Sequence, residues 1–478
     1  MTKFFHGRPF LRHSMALILG NIGAKGIGLA LSMLFAAYLG KEGLGVQSLA
    51  NSAYFLGLTL GGSGLSTVVS IVYSKHKSRL VLRKAFLVAV LFSLPAMGVL
   101  FLLSAPISLL MLKTLEVSSA LKVAALSIPF VALSSCIKGY FYSENKLFPV
   151  PSAQVLEQAV RLGIIFLLFH FHFDYSPITK VFISVLVGEI FSTLYLSVFY
   201  LLHGRGTSGG TGREVSASLG NSSRKLVPEI LTLALPQSLV SSLTSVLRWA
   251  EDLLLLAGLT LFFGGVKSDA LSFIGAFSGI VFPILFIPSP LFSGLLLLIV
   301  PKASELMSTG RTDRLRATAS KLCSFCLAAG TVFAVFVFCF GRELIALLYP
   351  SAAGGASAHS PAVYLMSVAF IAPLIYFEGG ITSILTGIGE QNKVLRLSIY
   401  DCIIRVVLVI VLCPLLGEWG FIVMMWVSNL WTSVVNFWRL RKATGVRVSI
   451  MDSVLLPGVA AGVVGMVVRI LVVAIRFV

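Results

Sequence analysis

The sequence predicts an all-α polytopic membrane protein. It would have two six-helix lobes, related by a pseudo-two-fold along the membrane normal, and an extra C-terminal helix. Three observations predict it. The 478 residues are 57% hydrophobic and only 12% charged, about half the charge of an ordinary soluble domain. Apolar runs of about 20 residues, each long enough to cross a bilayer, recur along nearly the whole chain. A carboxylate and an arginine at one-turn spacing occur twice, as Glu157/Arg161 and Asp401/Arg405. Each pair sits early in an apolar run, after a short polar turn. A transmembrane β-barrel would instead show alternating segments of about 10 residues.

The first span, 14–39, follows a basic N-terminus, MTKFFHGRPFLRHS. It is longer than a secretory signal core, so it is expected to remain as an uncleaved helix. The second, 46–72, contains Gly61, Gly62 and Gly64, which suit close helix packing. Spans 84–104, 118–142, 152–171 and 178–202 complete an N-terminal lobe, 1–202. Residues 203–226, rich in glycine and serine, read as a flexible cytoplasmic linker. The second lobe, 227–447, holds 228–258, 269–300, 318–341, 362–387, 394–415 and 418–438. Pro236, Pro283, Pro288, Pro290 and Pro373 fall inside these spans, where each removes a backbone hydrogen bond and permits a kink. Residues 448–478 carry a thirteenth span, 452–476, which a re-entrant pair could replace, so the range is 12 to 14.

The formal charge is +18, and it clusters in short loops rather than on a nucleic-acid-binding face. About 24 lysines and arginines fall on one side of the predicted membrane and about five on the other. That bias predicts a cytoplasmic N-terminus, and the basic loops suit anionic lipid headgroups. Both halves have a glycine-rich second span followed by a basic loop. An even number of helices per half keeps the repeats parallel, which is the origin of the predicted axis.

Charges inside spans are costly and usually face protein or a watery cavity. Lys25 lies in the middle of the first span. Arg248 lies in the seventh, where it could reach Glu251 and Asp252 at one-turn spacing. Glu189 lies in the sixth and Glu378 in the tenth. One reading is a cationic cavity floor for a diphosphate or acidic sugar, with Lys25, Arg248 and the Glu157/Arg161 and Asp401/Arg405 pairs as the candidate cavity residues. Glu189, Glu251, Asp252 and Glu378 would then temper binding, carry protons or form salt bridges. The other reading is a set of salt bridges that fix the helices. His170, His172 and Asp174 form an interfacial cluster. Cys323 and Cys326 form a CxxC without further metal ligands nearby. There is no nucleotide phosphate loop, HExxH or nucleophile elbow, so an enzyme is not expected.

Residues 39–75 (LGKEGLGVQSLANSAYFLGLTLGGSGLSTVVSIVYSK) resemble the start of polysaccharide exporters and flippases. These belong to the multidrug/oligosaccharidyl-lipid/polysaccharide exporter superfamily. KGYFYSENKLFPVPSAQVLEQAVRLGIIFLL (138–168), LIVPKASEL (298–306) and LTGIGEQNK (385–393) are similar to motifs of its stage V sporulation protein B and lipid II flippase-like group. The resemblance covers most of residues 14–440. It implies a V-shaped fold and alternating-access export of undecaprenyl-diphosphate-linked oligosaccharide across the bacterial cytoplasmic membrane. Lys25 matches a lysine of that group, whereas Ser32 and Ala37 stand where arginines are common. A monomer without cofactor is expected, with proton or sodium coupling left open. The alternative is a proton- or sodium-coupled multidrug antiporter of the same superfamily. A membrane glycosyltransferase or polymerase would need large external loops, and the longest here, about 342–361, is rich in Ser, Ala and Gly.

Overall fold

A computed structural model describes residues 9–476 apart from 63, 113–114, 145, 147, 172, 204–222 and 353–358. Among the described residues the regular structure is entirely helical. Among the described residues, thirteen helical stretches are long and apolar enough to cross a membrane. The number equals the sequence expectation, but the partition differs. The stretch Ile18–His76 is two helices that meet at a kink at Gly40, in line with the expected boundary between 14–39 and 46–72, while the expected span 269–300 is two, Lys267–Leu285 and Ser289–Ser308.

Both interruptions have backbone causes. Helix α1 (Pro9–Leu60) runs through a break at Gly40, where φ is 66° and ψ −177°. Glycine alone takes that conformation without Cβ strain. A turn with Gly62 and Gly64 at positive φ separates α1 from α2 (Leu65–His76). In the second half α9 (Lys267–Ala276) passes through a π turn, Phe277–Val281, into the short α10 (Phe282–Leu285). Proline at 288 and 290 lacks the N–H needed to carry the helix on, so α11 starts afresh (Ser289–Ser308).

The other helices of the first half are α3 (Arg79–Leu102), α4 (Ser104–Leu112), α5 (Glu116–Ser143), α6 (Pro149–His170) and α7 (Pro177–His203). They are followed by α8 (Ser223–Phe262). The second half continues with α12 (Thr312–Leu348), α13 (Pro361–Val368), α14 (Ala372–Gly387), α15 (Gln391–Leu416) and α16 (Glu418–Thr444). A π turn, Met451–Leu455, then leads into α17 (Leu456–Arg476). The linker expected at 203–226 falls mostly outside the described residues.

The chain divides into two compact units. Unit 1 comprises residues 1–31 and 46–249; unit 2 comprises 32–45 and 250–478. The division passes through α8, between Trp249 and Ala250, and places a middle piece of α1 in unit 2.

In unit 1, α5 is the axis and packs against α2, α3 and α7. The core joins Val69 and Val72 of α2, Ala85 and Val88 of α3, and Cys136 and Ile137 of α5. Small residues bring the backbones together, and Tyr140 sits edge-on to Tyr73 and Tyr200 at 5.0 Å from each. In unit 2, α12 is the axis and packs against α14 and α17. Phe273, Phe277, Tyr364 and Phe421 form its aromatic cluster. Val459, Val463, Met466 and Ile470 on α17 are exposed, as expected of a helix whose outer face meets lipid rather than water.

Candidate functional site

The buried charges of unit 1 converge from α6 and α7. One helical turn separates Glu157 from Arg161, and Arg161 Nη2 donates to Glu157 Oε1 at 2.7 Å. The same nitrogen donates to Glu189 Oε1 of α7 at 3.1 Å. Both carboxylates are buried, so two acidic groups share one guanidinium. Lys138 of α5 is close enough to act electrostatically on Glu189. Gly188 makes the approach possible. A Cβ there would lie 2.7 Å from Arg161 Cγ and 3.3 Å from the Glu157 carbonyl oxygen. Arg161 Nε is buried and has no hydrogen-bond partner.

Lys25 is half-buried on α1, midway between Pro9 and the break at Gly40. No carboxylate pairs with it among the described residues. Helix α1 lies against α6 through small residues, since a Cβ on Gly23 would meet Val155 at 3.6 Å and one on Gly28 would meet Gln158 at 3.7 Å. Arg248, on the unit 1 part of α8, is exposed.

Unit 2 is arranged differently from the expectation. Glu251 does not pair with Arg248. It is held by Arg405 of α15, with Nε at 3.1 and 3.0 Å from the two carboxylate oxygens and Nη2 at 2.6 Å from Oε1. This fork geometry engages both oxygens of one carboxylate. Asp401, expected to neutralise Arg405 from one turn away, acts on it through its charge, while its carboxylate accepts a hydrogen bond from Ser428 Oγ of α16 at 2.6 Å. The fork on Glu251 uses the Nε edge of Arg405, and the short Asp401 side chain finds a hydroxyl on the neighbouring helix. Glu378 of α14 accepts from Thr432 Oγ1 at 3.0 Å. Asp252 follows Glu251 on α8 and is half-buried.

A separate cluster lies where α15 begins. Glu390 receives Lys393 Nζ at 2.5 Å and Arg439 Nε at 3.3 Å. The Lys393 hydrogen bond, aided by the charges of Lys393 and Arg439, holds the Glu390 carboxyl below its ordinary range.

No group of three or more His, Cys, Asp or Glu converges as a metal set among the described residues. His170 stacks on Phe166 at 5.6 Å, and His172 lies outside the described residues. Cys323 and Cys326 are free, buried thiols of α12. Sequence reading therefore found the charged residues but missed Gly188, Ser428 and Thr432, whose roles depend on neighbours far along the chain. Ser32, noted only as a departure from arginine, donates to the Gly279 carbonyl at 2.7 Å and lies 2.9 Å from Tyr349 Oη.

The chain is 24% identical over 426 residues to stage V sporulation protein B of Bacillus subtilis (strain 168), covering 86% of this chain and 80% of that protein. It is 22% identical over 312 residues to sporulation protein YkvU of the same organism, covering 64% and 67%. Among solved structures, the inward closed conformation of the lipid II flippase MurJ matches with a TM-score of 0.66 and 15% identity, covering 96% of this chain and 92% of that one. An inward-facing multidrug resistance MATE family transporter of the MOP superfamily matches with a TM-score of 0.67 and 14% identity, covering 91% and 98%. These two likenesses establish the fold. A family model described as polysaccharide biosynthesis protein matches residues 10–307, more than half of the sequence, and the chain, a multi-span helical membrane protein, belongs to that family.

Proposed function

We propose that the chain is a flippase. It would move an undecaprenyl-diphosphate-linked oligosaccharide, a cell-wall or polysaccharide precursor, across the bacterial cytoplasmic membrane by alternating access. The observation that carries this reading is Lys25, a half-buried ammonium near the middle of a membrane helix with no ion-pair partner among the described residues. A lone cation at that depth costs on the order of 3 kcal/mol or more. A diphosphate would offset that cost, and the exposed guanidinium of Arg248 could grip it with two parallel donors. The family, the likeness to stage V sporulation protein B and the lipid II flippase fold support the same direction. On this reading the basic loops and the N-terminus are cytoplasmic.

The buried pairs have separate parts. Arg405 is occupied by Glu251 and Arg161 by two carboxylates, so neither is free for a phosphate as it stands. They would hold helices in register, and Glu157, Glu189, Asp401 and Glu378 are the groups through which a proton or sodium ion would couple. A multidrug antiporter is the second reading. It is favoured by the two carboxylates that share Arg161, an acid-rich site of the kind a cationic drug and a coupling ion require.

Flipping of a fluorescent undecaprenyl-diphosphate oligosaccharide in proteoliposomes separates the two. The flippase reading expects protein-dependent flipping that falls about tenfold or more in Lys25→Ala and in Arg248→Ala, as loss of a charge-assisted contact predicts. Absence of flipping, together with pH- or sodium-driven efflux of a cationic dye, would replace it with the antiporter.

A further inference from the structure

Helices α1 and α6 lie side by side in unit 1 and run in the same direction. Gly20, Gly23 and Gly28 of α1 meet Pro151, Val155 and Gln158 of α6 in that order, and a Cβ on Gly20 would collide with Pro151. Asn21 and Lys25 are one turn apart on α1, and Gln154 and Gln158 are one turn apart on α6, so each pair shares a face of its helix. Viewed from the N-terminal end, successive residues of a right-handed helix turn clockwise by about 100°. Asn21 and Lys25 then lie clockwise of the α1 contact line, and Gln154 and Gln158 lie anticlockwise of the α6 contact line. For parallel neighbours those two directions open on the same side. The Gln158 carboxamide reaches the boundary itself, since a Cβ on Gly28 would meet its oxygen at 3.7 Å. Lys25 thus stands in a surface that also carries the amides of Asn21, Gln154 and Gln158.

All four side chains are half-buried. Among the described residues none of the three amides has a hydrogen-bond partner in the protein. A carboxamide offers both donors and an acceptor, as a sugar hydroxyl does, whereas a carboxylate calls for donors alone. The charges of unit 1 limit how much negative ligand the surface can take. Inside the spans, away from the basic stretch 75–84, Arg161 is shared by Glu157 and Glu189, and Lys138 acts on Glu189. Lys122 and Lys180 lie over the rings of Phe101 and Phe169. Lys25 and Arg248 remain, neither with a carboxylate partner among the described residues. Two cations answer the two charges of a diphosphate and leave none for an acidic sugar. Glu157, buried beside Gln158 in sequence, sets a like charge against any glycan carboxylate, and such a juxtaposition discriminates between ligands by repulsion.

We propose that Asn21, Gln154 and Gln158, set around Lys25, form a sugar-reading surface that selects a lipid diphosphate with a neutral, hydroxyl-rich glycan over one that bears carboxylates. This selectivity rests on the flippase reading and narrows its substrate to one chemical class.

The test uses the full-length protein in proteoliposomes and two fluorescent undecaprenyl-diphosphate oligosaccharides of equal length. One is built of neutral hexoses, and the other has a uronic acid in place of the first hexose. Wild type is expected to flip the neutral carrier about tenfold faster or more, within the discrimination that unpaired polar groups give. Gln154→Ala combined with Gln158→Ala should bring the two rates together by slowing the neutral carrier. Gln158→Lys, which adds a donor for a carboxylate, should bring them together by speeding the acidic one, a gain that lost structure cannot produce. Should Gln158→Lys not fold, Gln154→Lys takes its place. Equal rates for the two carriers in wild type, or a ratio that the added lysine leaves unchanged, overturns the neutral-glycan surface and leaves the flippase standing. Flipping of neither carrier overturns the flippase reading, and the surface with it.

Discussion

Arg161 and Arg405 meet the same difficulty, a guanidinium inside a membrane helix, by different routes. Arg161 takes a carboxylate one turn away and adds Glu189 from the next helix. Arg405 passes over Asp401, one turn away, and closes a fork on Glu251 from a helix distant in sequence. Removing one partner of such a buried pair leaves an uncompensated charge, which costs about 3–5 kcal/mol, whereas replacing both by apolar groups is often neutral. Arg405→Met is therefore expected to lower the thermal unfolding midpoint sharply. Arg405→Met combined with Glu251→Met should regain most of the loss, and an equal loss in single and double variants would contradict the pairing. One-turn spacing was legible in the sequence for both pairs. For Asp401 and Arg405 it found a charge that does act on the guanidinium but not the hydrogen-bond partner, because spacing lists the groups within reach on one helix and is silent about a better acceptor on another. Arg248 illustrates the same limit, since Glu251 lay within its reach but Arg405 holds it.

Elements were more legible than contacts. Apolar runs located nearly every helix, because a bilayer demands about 20 apolar residues with all backbone groups bonded internally. The break at Pro288 was visible as a proline cluster but not as an interruption, since prolines in membrane helices more often kink than end them. The glycines that join elements were legible only as a class. Gly139 of α5 lies against α2, where a Cβ would come within 2.5 Å of the Ser66 carbonyl oxygen and 2.9 Å of Val69 Cβ. Gly98 of α3 has nothing within 4 Å. Gly139→Ala should force α2 and α5 apart and destabilise the protein by about 1–3 kcal/mol, as overpacking does. Gly98→Ala should be neutral or stabilising by roughly 0.5–1 kcal/mol, since glycine weakens helix interiors. Thermal unfolding of both variants checks the contrast, and equal effects would show that the α2–α5 approach is not as close as described.

At the scale of the molecule the sequence disclosed the class, the span count and the existence of two halves. It did not disclose that a piece of α1 belongs to unit 2 or that α8 belongs to both units. Those assignments rest on neighbours more than 150 residues away, to which periodicity is blind. The asymmetry of basic residues makes a prediction at this scale. A reporter active only outside the cytoplasm, such as alkaline phosphatase, should be active when fused at 263–266, between α8 and α9. It should be silent when fused at 309–311, between α11 and α12, and a fluorescent protein should give the converse. The reverse pattern would invert the orientation proposed from the basic loops.

The Glu251–Arg405 fork also has a consequence in time. The partners are 154 residues apart, and chains are made at about 5–20 residues per second. After α8 enters the membrane, Glu251 waits on the order of 10 s for its guanidinium to be synthesised, while Glu157 has Arg161 on the same helix from the start. Unit 1 can settle its charges as each helix is inserted. Unit 2 must carry an unanswered carboxylate through the insertion of several helices, so nascent chains that stop between Glu251 and Arg405 are the ones that membrane quality control would meet with an acid still exposed in the bilayer.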